Sequence, residues 1–200
     1  MPTADVSPTA AANGRERASS SGRLYKVDEP VPQHARRGRV NQRYEAGARL
    51  IAGCVPIRCC GEAGAEGPGV EVMLISSKNH NGFVLPKGGW ELDETVEDAA
   101  ARETVEEAGV RGDIDPRGLG VYEFFSKRNS CQCKAHMYVM HVKEVLDEWP
   151  EKARRARKWV PLAGGAAGRE VLHPWMANAL AELEGGLENG CWHGVGAAGS

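Results

Sequence analysis

The chain has 200 residues, 42% of them hydrophobic, and a formal net charge of −2. This length and apolar content suffice for one buried core once loose ends are subtracted. The near-neutral charge excludes a general nucleic-acid binder and leaves a capped RNA end as the one nucleic-acid substrate to consider. No apolar run approaches the ~18 residues of a membrane-spanning helix, so we expect no membrane contact.

The predicted domain covers residues 23–184, and the segments on either side of it have the composition of flexible tails. Residues 1–22 are rich in Ala, Ser, Thr and Pro, which is typical of a disordered tail. Residues 185–200 are rich in glycine and are predicted to form a flexible tail. Residues 1–22 lack the apolar core of a secretory signal, so we expect a cytoplasmic and/or nuclear protein. The serines and arginines there leave a mitochondrial transit peptide as the alternative, although Asp5 and Glu16 argue against it.

Short apolar segments alternate with loops along the predicted domain. Residue pattern predicts strands over residues 50–58, 70–76, 119–126, 136–142 and 158–162. A short apolar segment at 82–85 is followed by a glycine-containing loop at 86–89, called the glycine loop below. Helical spacing follows at 95–109 and again at 173–184. Strands interleaved with two helices predict an α/β fold, with a mixed sheet between helices.

The helix after the glycine loop carries its own start and stop signals. Thr95 is a plausible N-cap, with Asp98 three residues later as in a capping box. Gly109 is a natural stop because glycine readily adopts the left-handed conformation that ends a helix. Helical spacing puts Ala101, Thr104, Val105 and Ala108 on an apolar stripe that faces the core.

Three glutamates, Glu103, Glu106 and Glu107, fall on the opposite side of this helix. Like charges at these spacings destabilise a bare helix by roughly 0.2–0.5 kcal/mol per pair. A bound divalent cation would reverse that cost, and carboxylate oxygens are the ligands that Mg²⁺ and Mn²⁺ prefer. A solvated acidic face, with Arg102 pairing with Glu106, is the alternative. The adjacent glycine loop, Glu94 and Gly109 favour the metal site.

The spacing G-x5-E-x7-R-E-x-x-E-E-x-G runs from Gly88 to Gly109 and resembles the signature of the Nudix hydrolases. Thr104 departs from the aliphatic residue usual there. The resemblance implies the Nudix α/β/α sandwich with a mixed sheet. It also implies that Gly88, Glu103 and Glu107 hold Mg²⁺, with Mn²⁺ as a possible substitute, and that Glu106 is the catalytic base or a third ligand. Arg102 and Glu94 would orient the cluster.

A narrower resemblance links the chain to the diphosphoinositol polyphosphate phosphohydrolases, most of all their plant-type members. It lies in segments such as RLIAGCVPIR at 49–58, ISSK at 75–78 and LPKGGWELD at 85–93. It implies inositol pyrophosphate or diadenosine polyphosphate substrates. The positions that match residues holding the substrate phosphates are Arg49, Ser76, Ser77, Lys78 and Arg157, while Lys127, Arg128 and Lys134 compete for one further role. The basic residue expected near the last helix has no counterpart at 173–175.

The sequence therefore predicts a Mg²⁺-dependent pyrophosphohydrolase with a small-molecule polyphosphate substrate. Hydrolysis of ADP-ribose, oxidised dNTPs or an mRNA cap remains open, because the motif does not choose a substrate. A non-catalytic polyphosphate-sensing module is the alternative from another class, and the intact glutamates argue against it. The six cysteines lack the C-x2-C spacing of zinc sites, so reduced and partly buried thiols are expected.

Overall fold

The computed structural model describes residues 30–36, 38–60, 69–127 and 129–189. The predicted tail 1–22, most of the predicted tail 185–200, Arg128 and Cys191 lie outside these ranges. None of the helices in the described ranges is long and apolar enough to cross a membrane. The cysteines that the structure describes are free thiols, and Cys54 and Cys133 are buried.

One nine-stranded mixed sheet forms the centre of the fold. Its strands are β1 (Tyr44–Glu45), β2 (Ala48–Cys60), β3 (Gly69–Ser76), β4 (Phe83–Val84), β5 (Lys87–Gly89), β6 (Val110–Ile114), β7 (Gly120–Ser126), β8 (Cys131–Val145) and β9 (Arg157–Pro161). The main order is β4-β3-β2-β8-β6, and β2 and β8 run parallel from the pair Arg49–Cys133 to the pair Ile57–His141. The mixed sheet and the α/β class are thereby confirmed.

Helices cover the sheet: α1 (Val96–Ala108), a short α2 (Ala166–Glu170) and α3 (Pro174–Glu188). Helix α1 is buried on more sides than its predicted stripe requires, because Ala99 and Ala100 also pack in the main core beside β2 and β8. Helix α3 continues through Gly185 to Glu188, so the first residues of the predicted C-terminal tail are helical. Leu187 packs against the core, and this contact stabilises the last turn of the helix.

Each predicted strand is present, and most extend beyond the predicted bounds. The segment predicted at 136–142 is the middle of β8, a 15-residue strand that pairs with β2, β6 and β7. Strand β6 escaped prediction because charged residues and a glycine interrupt its alternation; its register shifts between Arg111 and Gly112. Such a bulge lets an irregular segment join a ladder that the long neighbour provides.

Candidate active site

Helix α1 is fixed at both ends by the residues that predicted its limits. The Thr95 hydroxyl accepts a hydrogen bond of 3.1 Å from the Asp98 amide. Gly109 adopts φ 62° and ψ 42°, and its amide donates to the Val105 carbonyl. The Arg157 guanidinium then donates to the Ala108 and Gly109 carbonyls at 3.0 Å each. Because both ends of α1 are fixed, the helix presents its glutamate side chains in a defined direction.

The pair of Arg102 and Glu94 ties the glycine loop to α1. Arg102 donates to both Glu94 carboxylate oxygens, at 2.7 and 2.9 Å, and to the Gly89 carbonyl at 2.9 Å. Glu94 also accepts from the Glu91 amide at 3.0 Å. Both side chains are buried, so removing either would take the nearest counter-charge away from the other. Their contacts are those of groups that orient the loop against the helix.

Glu103 and Glu106 share the same guanidinium. Arg102 reaches Glu103 at 2.8 Å and Glu106 at 3.5 Å. The Glu103 carboxylate lies directly against Gly88: a Cβ added at Gly88 would stand 2.0 Å from Glu103 Oε2. Only glycine leaves room for that carboxylate beside the loop. The structure thus brings a loop glycine and two of the three glutamates together.

Burial changes the proton affinity of these groups. Burial, reinforced by the neighbouring Glu107, raises the pKa of Glu103 to about 8. Burial also raises the pKa of Glu106 above its ordinary value, although Arg102 opposes the shift. The Lys87 ammonium is shifted the other way, because its burial lowers its pKa. A cation among these carboxylates would favour their charged forms.

Glu107 is paired with a buried arginine. Its carboxylate accepts from the Arg155 guanidinium and, at 3.0 Å, from the Lys87 amide. Arg155 also donates to Glu151 at 2.8 Å and to the Ser76 carbonyl at 2.8 Å. Within the described residues no three His, Cys, Asp or Glu side chains form a preformed metal cluster. In these contacts, arginines bond to carboxylate oxygens of all three glutamates.

A segment before β1 lies across the carboxylates. The Arg36 amide donates to Glu106 Oε2 at 3.1 Å. The Arg36 guanidinium reaches Glu91 at 2.8 Å and Asp93 at 3.2 Å. Further along this segment, the Arg39 guanidinium donates to the Asn129 side chain at 2.5 Å. The segment therefore forms one wall of the site and connects α1 with the turn after β7.

These elements enclose a cleft of about 1300 Å³. It is lined by every predicted metal or catalytic residue and by four of the predicted substrate-binding residues: Gly88, Glu103, Glu106, Glu107, Arg49, Ser77, Lys78 and Lys127. Other polar and charged lining residues include Arg36, Arg39, Gln42, Lys87, Arg154 and Arg155. One cleft thus contains both the acidic helix face and a set of cations.

Two residues predicted to bind substrate, Ser76 and Arg157, are not in the lining; nor is Lys134, one of the alternatives, whose ammonium donates to Glu45 at 2.7 Å. Ser76 is buried, and its hydroxyl accepts from the Ala156 amide at 3.0 Å. Arg157 stacks on Trp149, with 3.9 Å from its guanidinium carbon to the ring centroid, and donates to main-chain carbonyls. The structure therefore places these two residues behind the site, where they support it. Arg128 lies outside the described residues.

Lys87, Arg39, Arg154 and Arg155 line the cleft although the sequence did not single them out as site residues. Lys87 immediately precedes the signature, and that adjacency was an available signal. Arg155 belongs to a basic run at residues 152–158 (KARRARK), and the sequence alone could not say which of its side chains points into the cleft. Its place depends on Ser76, whose amide donates at 2.7 Å to the Ala156 carbonyl and so aligns the run with the end of β3.

The fold agrees with the result of comparison with known proteins. The sequence model of the NUDIX domain matches residues 57–183. The chain belongs to the Nudix hydrolase family. It is 49% identical over 158 residues to Nudix hydrolase 16, mitochondrial, of Arabidopsis thaliana, with 74% of this chain and 86% of the relative covered.

Two further proteins are similar at a greater distance. Diphosphoinositol polyphosphate phosphohydrolase 2 of Rattus norvegicus is 33% identical over 117 residues, covering 57% of this chain and 63% of its own length. The crystal structure of the C. elegans Ap4A hydrolase superposes with a TM-score of 0.52 at 20% identity, covering 70% of this chain and 98% of that one. The superposition shows a shared fold.

Proposed function

We propose that this protein is a Mg²⁺-dependent pyrophosphohydrolase that cleaves P–O–P linkages in diphosphoinositol polyphosphates and/or diadenosine polyphosphates. One observation carries the proposal: the cleft of about 1300 Å³ is lined by Glu103, Glu106 and Glu107 and also by several lysines and arginines. Hydrolysis of a polyanion requires both features. Carboxylates hold a cation and a water, while basic side chains hold the phosphates that flank the broken bond.

The oxygen donors along α1 fit a hard divalent cation. Gly88, Glu103 and Glu107 are proposed to hold Mg²⁺, with Mn²⁺ as a substitute, because carbonyl and carboxylate oxygens suit both ions. The fit is supported by the contact at Gly88, where a Cβ would displace the Glu103 carboxylate. When bound, the ion would neutralise phosphate charge and lower the pKa of a coordinated water.

Glu106 is the proposed general base. It lines the cleft, and its carboxylate is fixed between the Arg36 amide at 3.1 Å and the Arg102 guanidinium at 3.5 Å. A donor on each carboxylate oxygen restricts the directions from which Glu106 can accept a proton from water. Its raised pKa also brings the proton affinity closer to that of a base working near neutral pH.

Basic side chains from separate parts of the chain are proposed to bind the substrate phosphates. Arg49, Ser77, Lys78 and Lys127 are retained from the sequence, and the structure adds Lys87 and Arg154 to them. Arginine suits this task because its planar guanidinium can bind two phosphate oxygens at once. The name of the rat relative, a diphosphoinositol polyphosphate phosphohydrolase, supports the substrate class.

A substrate panel tests this function. Purified protein with Mg²⁺ is assayed for kcat/KM on an inositol pyrophosphate, diadenosine polyphosphates, ADP-ribose, an oxidised dNTP and capped RNA. We expect the highest kcat/KM for one of the first two substrate classes. A higher value for ADP-ribose, the oxidised dNTP or the cap would contradict the substrate assignment. Tight binding without product in excess Mg²⁺ would instead indicate a sensing module.

The name of one relative bears on the cellular compartment of this protein. Nudix hydrolase 16 is named as mitochondrial, which favours the mitochondrial alternative over cytoplasm and nucleus. A fluorescent protein fused after the full chain would be compared with the same fusion lacking residues 1–22. Mitochondrial fluorescence that requires residues 1–22 supports the alternative, and diffuse cytoplasmic or nuclear fluorescence of both fusions supports the sequence-based expectation.

A further inference from the structure

An exposed aromatic side chain lies at the rim of the cleft. Phe125 is 56% exposed and lines the cleft together with charged and polar groups. The other large apolar side chains that are exposed in the described residues do not line it. A single exposed apolar side chain is ordinary on a protein surface, so its position decides whether it has a use.

The Phe125 ring is presented by a rigid element. Strand β7 pairs along its whole length with β8, where Phe125 is opposite Gln132. The preceding residue, Phe124, stacks on Trp175 of α3 with ring centroids 5.1 Å apart and an interplanar angle of 12°. Stacking of a ligand on Phe125 would therefore cost little conformational entropy, because the strand beneath the ring is already ordered.

Cations connect Phe125 with the carboxylates of α1. Lys127 lines the cleft two residues beyond Phe125. Arg49 lines the same cleft, and its backbone lies two strand spacings, about 10 Å, from that of Phe124, the residue before Phe125. Arg49 in turn reaches toward Gly89, the neighbour of Gly88. A path lined by positive charge thus runs from the aromatic rim to the acidic helix.

We propose that Phe125 is a stacking platform for the nucleobase of a dinucleoside polyphosphate whose phosphates follow this path to the carboxylates. The inference rests on the proposed function and selects one of its two substrate classes for this part of the cleft. A base presents a flat π-face to an aromatic ring whatever its identity. A phosphorylated inositol ring has no π-face, so Phe125 should contribute much less to its binding.

The test compares a substrate that has bases with one that has none. Wild type, Phe125→Ala, Phe125→Tyr and Val121→Ala are assayed with Mg²⁺ on diadenosine tetraphosphate and on an inositol pyrophosphate. Val121 is the matched control, since it is 55% exposed on the same face of β7 and does not line the cleft. Binding of a non-hydrolysable methylene-bridged diadenosine tetraphosphate is measured in parallel by calorimetry, and oligomeric state by gel filtration.

Phe125→Ala should raise KM for diadenosine tetraphosphate and weaken binding of its analogue by about 5- to 100-fold, the usual effect of losing one stacked base. Phe125→Tyr should restore both, and the values for inositol pyrophosphate should not change. Equal effects on both substrates, unchanged binding of the analogue, or a change confined to oligomeric state would overturn the platform. If wild type hydrolyses neither substrate, the proposed function fails, while the calorimetry still decides the platform.

Discussion

At the scale of single residues, the decisive contact joins Glu107 to Arg155. Both side chains are buried, and Arg155 also bonds to Glu151 and to the Ser76 carbonyl. A buried carboxylate without a counter-charge is costly, so in the absence of a cation Arg155 supplies the compensation that Glu107 needs. A metal held by Glu107 would take over part of that role. If Glu107 holds a metal as proposed, the arginine and the cation would be alternative partners of one carboxylate.

This relation predicts how Arg155→Met will behave. Without metal the variant should lose about 3–5 kcal/mol of unfolding free energy, because Glu107 is left buried and unpaired. Saturating Mg²⁺ should narrow the deficit, since the ion compensates the same carboxylate. Urea denaturation in EDTA and in excess Mg²⁺ measures both values. Arg154→Met is the control, because Arg154 is exposed and should show a small deficit in both buffers. An Arg155→Met deficit of the same size in both buffers would contradict the shared role.

At the scale of elements, α1 is the part of the molecule that local sequence specifies best. Its cap residues, its apolar positions and its glutamates could all be predicted from their spacing, and Thr95 and Gly109 cap the helix as expected. Arg157 differs, because its position is set by the pairing of β9 with β3, where it lies opposite Ile75. Its guanidinium donates to the last carbonyls of α1 and so completes the C-terminal end of the helix.

Replacing Arg157 separates the two roles that have been considered for it. Arg157→Met removes charged donors from the Ala108, Gly109 and Leu146 carbonyls and should cost about 2–3 kcal/mol of unfolding free energy. KM for the preferred polyphosphate should remain close to that of the wild type. Arg58→Met, which removes a half-exposed guanidinium over Trp159, serves as the comparison and should cost less. A large increase in KM with unchanged stability would restore Arg157 to the substrate site.

At the scale of the whole molecule, the cleft is assembled from segments far apart in the chain. The N-terminal segment, the glycine loop, α1, the turn after β7 and the residues before β9 each contribute lining side chains. The mixed sheet holds these segments because β2 pairs with β5 on one side and with β8 on the other. The acidic and basic groups of the site meet only once that pairing has formed.

The same scale explains which features could be predicted from the sequence. Most of the strands, α1 and the metal-binding candidates follow local periodicity and spacing, so they could be predicted from the sequence, whereas β6 could not. The positions of Lys87 and Arg155 in the cleft lining, and of Arg157 against the carbonyls at the end of α1, depend on strand register and on which basic side chain meets a buried carboxylate. Composition and spacing carry no information about that choice, because exposed and buried cations look alike in a sequence.

The central claim is that carboxylates on α1 support Mg²⁺-dependent cleavage of a pyrophosphate linkage. The most direct measurement is the rate of product release from the preferred polyphosphate, with Mg²⁺ and with EDTA, by wild type, Glu107→Gln and Glu148→Gln. Glu148 is the matched control because its exposed side chain contacts Lys152, away from the cleft lining. Wild type and Glu148→Gln should turn over only with Mg²⁺, and Glu107→Gln should lose about 100-fold or more, since the chemistry depends on the ion. Substantial turnover by Glu107→Gln, or by wild type in EDTA, would contradict the claim.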